Sequence, residues 1–196
     1  NLTINRLIEN NLNKLNSINL YKISKSNKFF LSLTALFVLF LSYLLIPNIY
    51  DKAKISKKLN DQLQKRFNLK FNLSQNLEYN FFPRPHFIYK NSSILKDERE
   101  ISKIEELRIY ISLNNLFSYN NFEIKNLIIE KSNFNLNNQT YDFFTKLLDG
   151  DFQEGKLVIK NSNIFYKNKD DEFLFINKVL NMEYFYDYKN FQNKVV

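Results

Sequence analysis

Three hydrophobic patterns follow one another along the chain. Residues 29–46 form an apolar run whose only polar members bear hydroxyls, with no charge among them. A helix of that length covers ~27 Å, close to the ~30 Å hydrocarbon core of a bilayer. Ser32, Thr34 and Ser42 can bond back to their own helix, and Tyr43 stands near one end, where an interfacial ring is favoured. Residues 51–67 then show a helical period. Ile55, Leu59, Leu63 and Phe67 share one stripe, with Lys57, Lys58, Asp61 and Lys65 elsewhere. Such a helix either caps the next domain or lies on a membrane surface.

From residue 68 the period changes to two. Leu69, Phe71 and Leu73 alternate with polar neighbours, as do Leu77, Tyr79 and Phe81. The clearest alternation sets Leu107, Ile109, Ile111 and Leu113 against Arg108, Tyr110 and Ser112, a strand with one apolar and one wet face. Phe122 and Ile124, then 127–129, 157–159, 164–166 and 173–176 continue the pattern, and Tyr184, Tyr186 and Tyr188 share a face with Met182. One interruption, 140–149, places Phe143, Phe144, Leu147 and Leu148 at helical spacing between Thr140 as N-cap and Gly150 as stop. The expected fold is mainly β: a transmembrane helix and an amphipathic helix, then an elongated antiparallel sheet with one short inserted helix. The expected divisions are a tail at 1–28, the span at 29–46, the juxtamembrane helix at 47–67 and a β domain at 68–196.

The apolar run is longer than a signal-peptide core, and 46–50, Ile-Pro-Asn-Ile-Tyr, offers no small-residue cleavage pattern, so an uncleaved anchor is expected. Lys22, Lys25 and Lys28 precede it, while Lys52, Lys54, Lys57, Lys58, Lys65 and Arg66 follow it, so charge alone does not orient the span. The chain begins with Asn rather than Met, and a fragment of a longer protein is expected.

Composition adds limits. There is no cysteine, hence no disulfide and no thiolate nucleophile or metal ligand. The formal charge is +8, but the basic residues are dispersed, and the juxtamembrane cluster is most simply an attraction to anionic headgroups. Basic and aromatic residues form no stripe of the kind a nucleic-acid interface needs, so no nucleic-acid partner is expected.

A short motif recurs. Residues 88–94, 128–134 and 158–164 each give apolar strand residues, a polar pair, Ser with Ser or Asn, and an apolar residue that resumes the strand. Ser and Asn there favour a bend or bulge, because their side chains bond nearby backbone groups. Units of this kind stack into a sheet.

The order of these features resembles the start of AsmA family proteins: an anchor, an amphipathic helix, then the element 81–94 with Phe82, Pro83 and Pro85 leading into a strand that ends in a polar bend. The strand at 104–113, the turn 114–117 and the strand pair expected within 122–136 follow in the family's order. The likeness covers roughly 29–166, and departs from the family in its long N-terminal extension and its scarcity of Gly. The chain is also short for that family, so the β domain is expected to be incomplete at its C-terminus. The resemblance implies a Gram-negative inner-membrane protein with a periplasmic domain, whose apolar β-groove carries phospholipid toward the outer membrane or serves outer-membrane assembly. Leu107, Ile109, Ile111, Leu113, Phe122 and Ile124 are the groove candidates under that reading. One apolar face per strand is equally the mark of an ordinary sheet packed on a helix. The competing reading is therefore a bitopic envelope scaffold with a closed β domain, envelope protein partners and no ligand.

Catalytic chemistry is not expected. His86 is the single histidine and has no evident second ligand. The acidic runs at 97–98, 105–106 and 170–172 lack the spacing of a calcium loop, and glycines at 150 and 155 alone cannot build a phosphate loop. No cofactor or metal is expected, and Pro83 and Pro85 are read as forcing an extended edge segment.

Overall fold

The computed structural model describes residues 25–67, 70–96, 98–114, 116–138, 140, 143, 155–168, 170, 172–187, 189–190 and 192–196. The tail up to residue 24 and the helix expected over 140–149 lie outside them, apart from Thr140 and Phe143. The chain divides into two compact units, Asn1–Ser42 and Tyr43–Val196. In the first lies most of helix α1, Lys25–Leu45, which continues into a 3-10 turn, Ile46–Ile49. Together Asn27–Ile49 make 23 residues, long and apolar enough to cross a membrane, a test that a signal sequence also meets. Thr34 and Ser42 donate their hydroxyls to the carbonyls of Phe30 and Val38, one turn back, which removes their polar cost in an apolar setting.

The second unit is a helix on a mixed sheet. Asp51 caps α2, Lys52–Phe67: its Oδ1 accepts the amides of Ala53 and Lys54 at 2.8 and 3.3 Å. The described strands are β1 Lys70–Asn72, β2 Leu77–Asn80, β3 His86–Lys96, β4 Arg99–Ile111, β5 Ile124–Leu136, β6 Lys156–Lys167, β7 Phe173–Asp187 and β8 Gln192–Val195. They follow the order β1-β3-β4-β5-β6-β7-β8, with β2 beside β1 on the outer edge of β3.

The pairs are antiparallel except β5 with β6, which run parallel. The sheet is thus mainly antiparallel, as expected, but mixed through this one parallel pair. Residues 137–155 carry the chain back to the starting end of β5, and a parallel pair needs a crossover of about that length. One correction concerns 122–136, which holds one long strand rather than a strand pair. A second concerns the proline element. Residues 82–84 bend rather than extend, the Phe82–Pro83 peptide is cis, and β3 begins only at His86.

The inner face is built from rows that cross the sheet. Tyr89, Leu107, Ile129, Ile159 and Met182 are neighbours in register, as are Phe87, Ile109, Leu127, Leu157 and Tyr184. Against these rows pack Ile55, Leu59 and Leu63 of α2, all buried. The stripe expected from the sequence therefore caps the sheet. Its polar fringe also docks. The Gln62 amide donates to the Phe122 carbonyl and accepts the Ile124 amide, and Ser56 pairs with the Tyr89 hydroxyl at 2.7 Å.

The outer face carries the charges. Glu78 meets Lys90, Arg108 meets Glu106 and Glu130, and Lys156 meets Glu183. Burial works against the Arg108 charge, but the hydrogen bond and negative charge of Glu106, helped by Glu130, outweigh it and raise its pKa.

The repeat has a physical meaning in this sheet. Asn91, Lys131 and Asn161, at the same place in each copy, have φ of 57°, 53° and 49°. A left-handed residue inside a strand shifts the alternation by one. In β3 the inward residues change from Phe87 and Tyr89 to Ser92 and Ile94; in β5 they change from Leu127 and Ile129 to Ser132 and Phe134. In β4 the same change falls between Ile104 and Leu107. The shifted positions align across the sheet as a crease, so the same face of the sheet stays inward although each strand changes phase.

Serines fill the inner side of that crease. Ser132 donates its amide to the Ser162 hydroxyl (3.0 Å) and its own hydroxyl to the Lys103 carbonyl (3.1 Å). Ser162 in turn donates to the Lys160 carbonyl (2.7 Å). With the Ser132 proton given to Lys103, the Ser102 hydroxyl serves as the donor in the Ser102–Ser132 contact. Ser102, Ser132 and Ser162 are completely buried.

Candidate functional site

The six groove candidates are not alike. Leu107, Ile109, Ile111, Phe122 and Ile124 are enclosed in the core that α2 covers; only Leu113, in the loop after β4, is open to solvent. Phe122 sits in an aromatic cluster with Phe87 at 5.6 Å and Tyr50 at 6.0 Å. A cavity of about 40 Å³ beside this cover, between Pro47, Tyr50, Ile55 and Tyr79, is far too small for an acyl chain. These five residues hold the cover in place and do not line an open channel.

The open apolar surface lies further along the same inner face. Past the crease, Phe134 pairs with Ile164 and Leu136 with Tyr166, and these pair onward with Asn177 and Phe175 of β7. Exposure grows along this path. Phe134 and Leu136 are buried, Ile164 and Tyr166 are half-buried, and Phe175 is 50 % exposed. The Tyr166 and Phe175 rings stack at 5.0 Å with only 5° between their planes. On the outer side of the same strand pair Phe165 meets Phe173 at 5.6 Å, and Leu174 and Ile176 are exposed. β8 pairs only with Tyr184–Asp187, so among the described residues Phe173–Leu180 has a strand neighbour on one side alone. This surface went unnoticed among the sequence candidates. Its signal was present, since the contiguous Phe-Leu-Phe-Ile at 173–176 breaks the alternation and puts apolar side chains on both faces.

The other sequence candidates are structural. His86 is buried on the outer face, its ring stacked on Tyr110 at 4.8 Å, and its Nδ1–H donates to the Arg84 carbonyl at 2.7 Å. Pro85 is buried and its carbonyl accepts the Ile111 amide, while Phe82 and Pro83 are exposed. In the acidic turn Asn168 Oδ1 accepts the amides of Asp170 and Glu172, a solvated Asx turn. Among the described residues no group of three His, Cys, Asp or Glu could hold a metal ion.

Tyrosines fix the start of this unit. Tyr43 donates its hydroxyl to the Leu113 carbonyl at 2.6 Å and accepts the Leu116 amide, and Tyr79 donates to the Leu44 carbonyl at 2.6 Å. Burial, with Tyr43 alongside, pushes the Tyr79 hydroxyl up to about 12; burial does the same to Tyr89, against a smaller opposing effect of the Ser56 hydrogen bond. No protein-family model matches the chain, and no curated protein sequence matches it.

Proposed function

We propose that this chain is a membrane-anchored lipid carrier, similar to the N-terminal part of AsmA family proteins, whose inner sheet face accepts acyl chains. The observation that carries the reading is that the inner face, apolar beneath α2 and crossed by the serine row of the crease, turns apolar again beyond it and opens to solvent at Phe175, beside half-buried Ile164, Tyr166 and Val179. A sheet suits this task, because neighbouring strands satisfy the backbone while the side chains offer hydrocarbon to the ligand. The helix Asn27–Ile49 acts as the anchor in this reading, with the sheet on the periplasmic side and phospholipid as cargo bound for the outer membrane.

The scaffold reading draws its support from the closed core over β3–β5, where Leu107, Ile109 and Ile111 are fully covered. Lipid extraction separates the two. The chain 1–196 purified in mild detergent is expected to retain phospholipid, and Phe175→Asp, at a half-exposed position and with an unchanged circular dichroism spectrum, is expected to retain less. Equal lipid in both proteins would mean that only the helix holds it, and the carrier reading would fall.

A further inference from the structure

A second apolar surface lies at the end of the sheet where the chain enters from α1. The hairpin between β2 and β3 and the loop after β4 reach this end together, since His86 pairs with Tyr110 and Ile111 bonds to Pro85. Their tips carry Phe82, Leu113 and Phe117, which are 75, 47 and 73 % exposed, and Ile49, at the end of the 3-10 turn, is 83 % exposed. Phe117 packs its ring on Tyr43 at 5.0 Å. Arg84, on the same tip as Phe82, is exposed, as is Lys52 at the start of α2.

We propose that this end of the sheet rests in the bilayer, with Phe82, Leu113 and Phe117 inserted at the boundary of headgroups and acyl chains, and Arg84 and Lys52 at the headgroups. The occupant is the lipid surface itself. The inference rests on the reading that α1 spans a membrane. Depth makes the argument. If residues 29–46 are centred in the bilayer, the Tyr43 backbone lies ~8 Å from the midplane, inside a core with a half-thickness of ~15 Å. The Tyr43 hydroxyl, and the Leu113 and Leu116 backbone groups bonded to it, then sit near the edge of the hydrocarbon. Loop backbone at that depth has little water to bond with, and the tyrosine hydroxyl replaces that water for one carbonyl and one amide. Exposed phenylalanines beside cationic side chains match the composition that an interface binds.

The absence of Trp in the chain makes the test direct. Single variants Phe82→Trp, Phe117→Trp, Phe37→Trp and Lys103→Trp of the full chain are reconstituted in vesicles of phosphatidylcholine with phosphatidylglycerol. Lys103 lies on the wet face toward the opposite end of the sheet and serves as the control. The proposal expects emission from positions 82 and 117 to be quenched by lipids brominated near the glycerol end of the chain, by about half or more, and shielded from acrylamide. Position 37 should be quenched by deeply brominated lipid and position 103 by neither. Position 37 quenched with 82 and 117 open to acrylamide would overturn the proposal and leave the span intact. Positions 82 and 117 shielded from acrylamide but untouched by brominated lipid would assign the surface to protein, and also overturn it. An unquenched position 37 would remove the span and the proposal together.

Discussion

Replacing Ser132 by alanine removes the hydroxyl at the centre of the crease, and the structure fixes which groups are then stranded. Ser132 Oγ donates to the Lys103 carbonyl and accepts from Ser102, and Ser102, Ser132 and Ser162 have no access to water. The buried Ser102 hydroxyl loses its acceptor and the part-buried Lys103 carbonyl loses a donor, at about 1.5 kcal/mol each, so Ser132→Ala costs about 3 kcal/mol. Ser102→Ala alone leaves the Ser132–Lys103 bond in place and costs about 1 kcal/mol. The double variant strands only the carbonyl. It should therefore be more stable than Ser132→Ala by about 1 kcal/mol, although it carries one more truncation. For a chain of this size 1 kcal/mol moves Tm by about 2–4 °C. Thermal unfolding of the full chain in mild detergent, followed by circular dichroism, should show a drop of about 6–12 °C for Ser132→Ala and a recovery of about 3 °C when Ser102→Ala is added. A double variant that melts below Ser132→Ala would refute the bonding scheme, because Ser102 would then have another acceptor.

Three further outcomes follow from the same geometry. Asp51→Ala removes the cap of α2 and should cost about 1 kcal/mol, read as a lower unfolding midpoint with unchanged spectra. Lys131→Asn should stabilise by about 0.5 kcal/mol, since asparagine tolerates the left-handed backbone that Asn91 and Asn161 already occupy, and an unchanged midpoint would contradict this. Stability should also fall as pH rises from 10 to about 12. Tyr79 and Tyr89 ionise near 10 when unfolded but only near 12 when folded, so their contribution is complete below 10 and disappears as the folded groups titrate. Unfolding midpoints across that window should flatten in Tyr79→Phe/Tyr89→Phe.

The sequence was most legible where a single period ran without interruption. Ile55, Leu59 and Leu63 announced the buried stripe of α2, and Leu107 to Ile111 announced a one-sided strand. What covers such a strand is not written in its alternation. That is why Leu107 and Ile109 suited a groove floor and a closed core equally until α2 was seen to lie on them. The repeat was visible as a motif, but its consequence was hidden. A lysine at 131 gives no cue of positive φ, so the phase change and the aligned crease had to come from the backbone. The parallel pairing of β5 and β6 was missed because strand alternation carries no direction. The apolar patch on β7 could have been found from the unbroken 173–176 run, which an ordinary one-sided strand does not contain.

The central claim is that acyl chains occupy the open part of the inner face and not the part beneath α2. It is tested most directly by photo-crosslinking in cells from a probe placed at Phe175, with a matched probe at Ile109, and identification of the adducts. The account predicts a phospholipid adduct from position 175 and none from position 109, which is fully enclosed. Only protein adducts from position 175, or lipid captured equally at both positions, would contradict it.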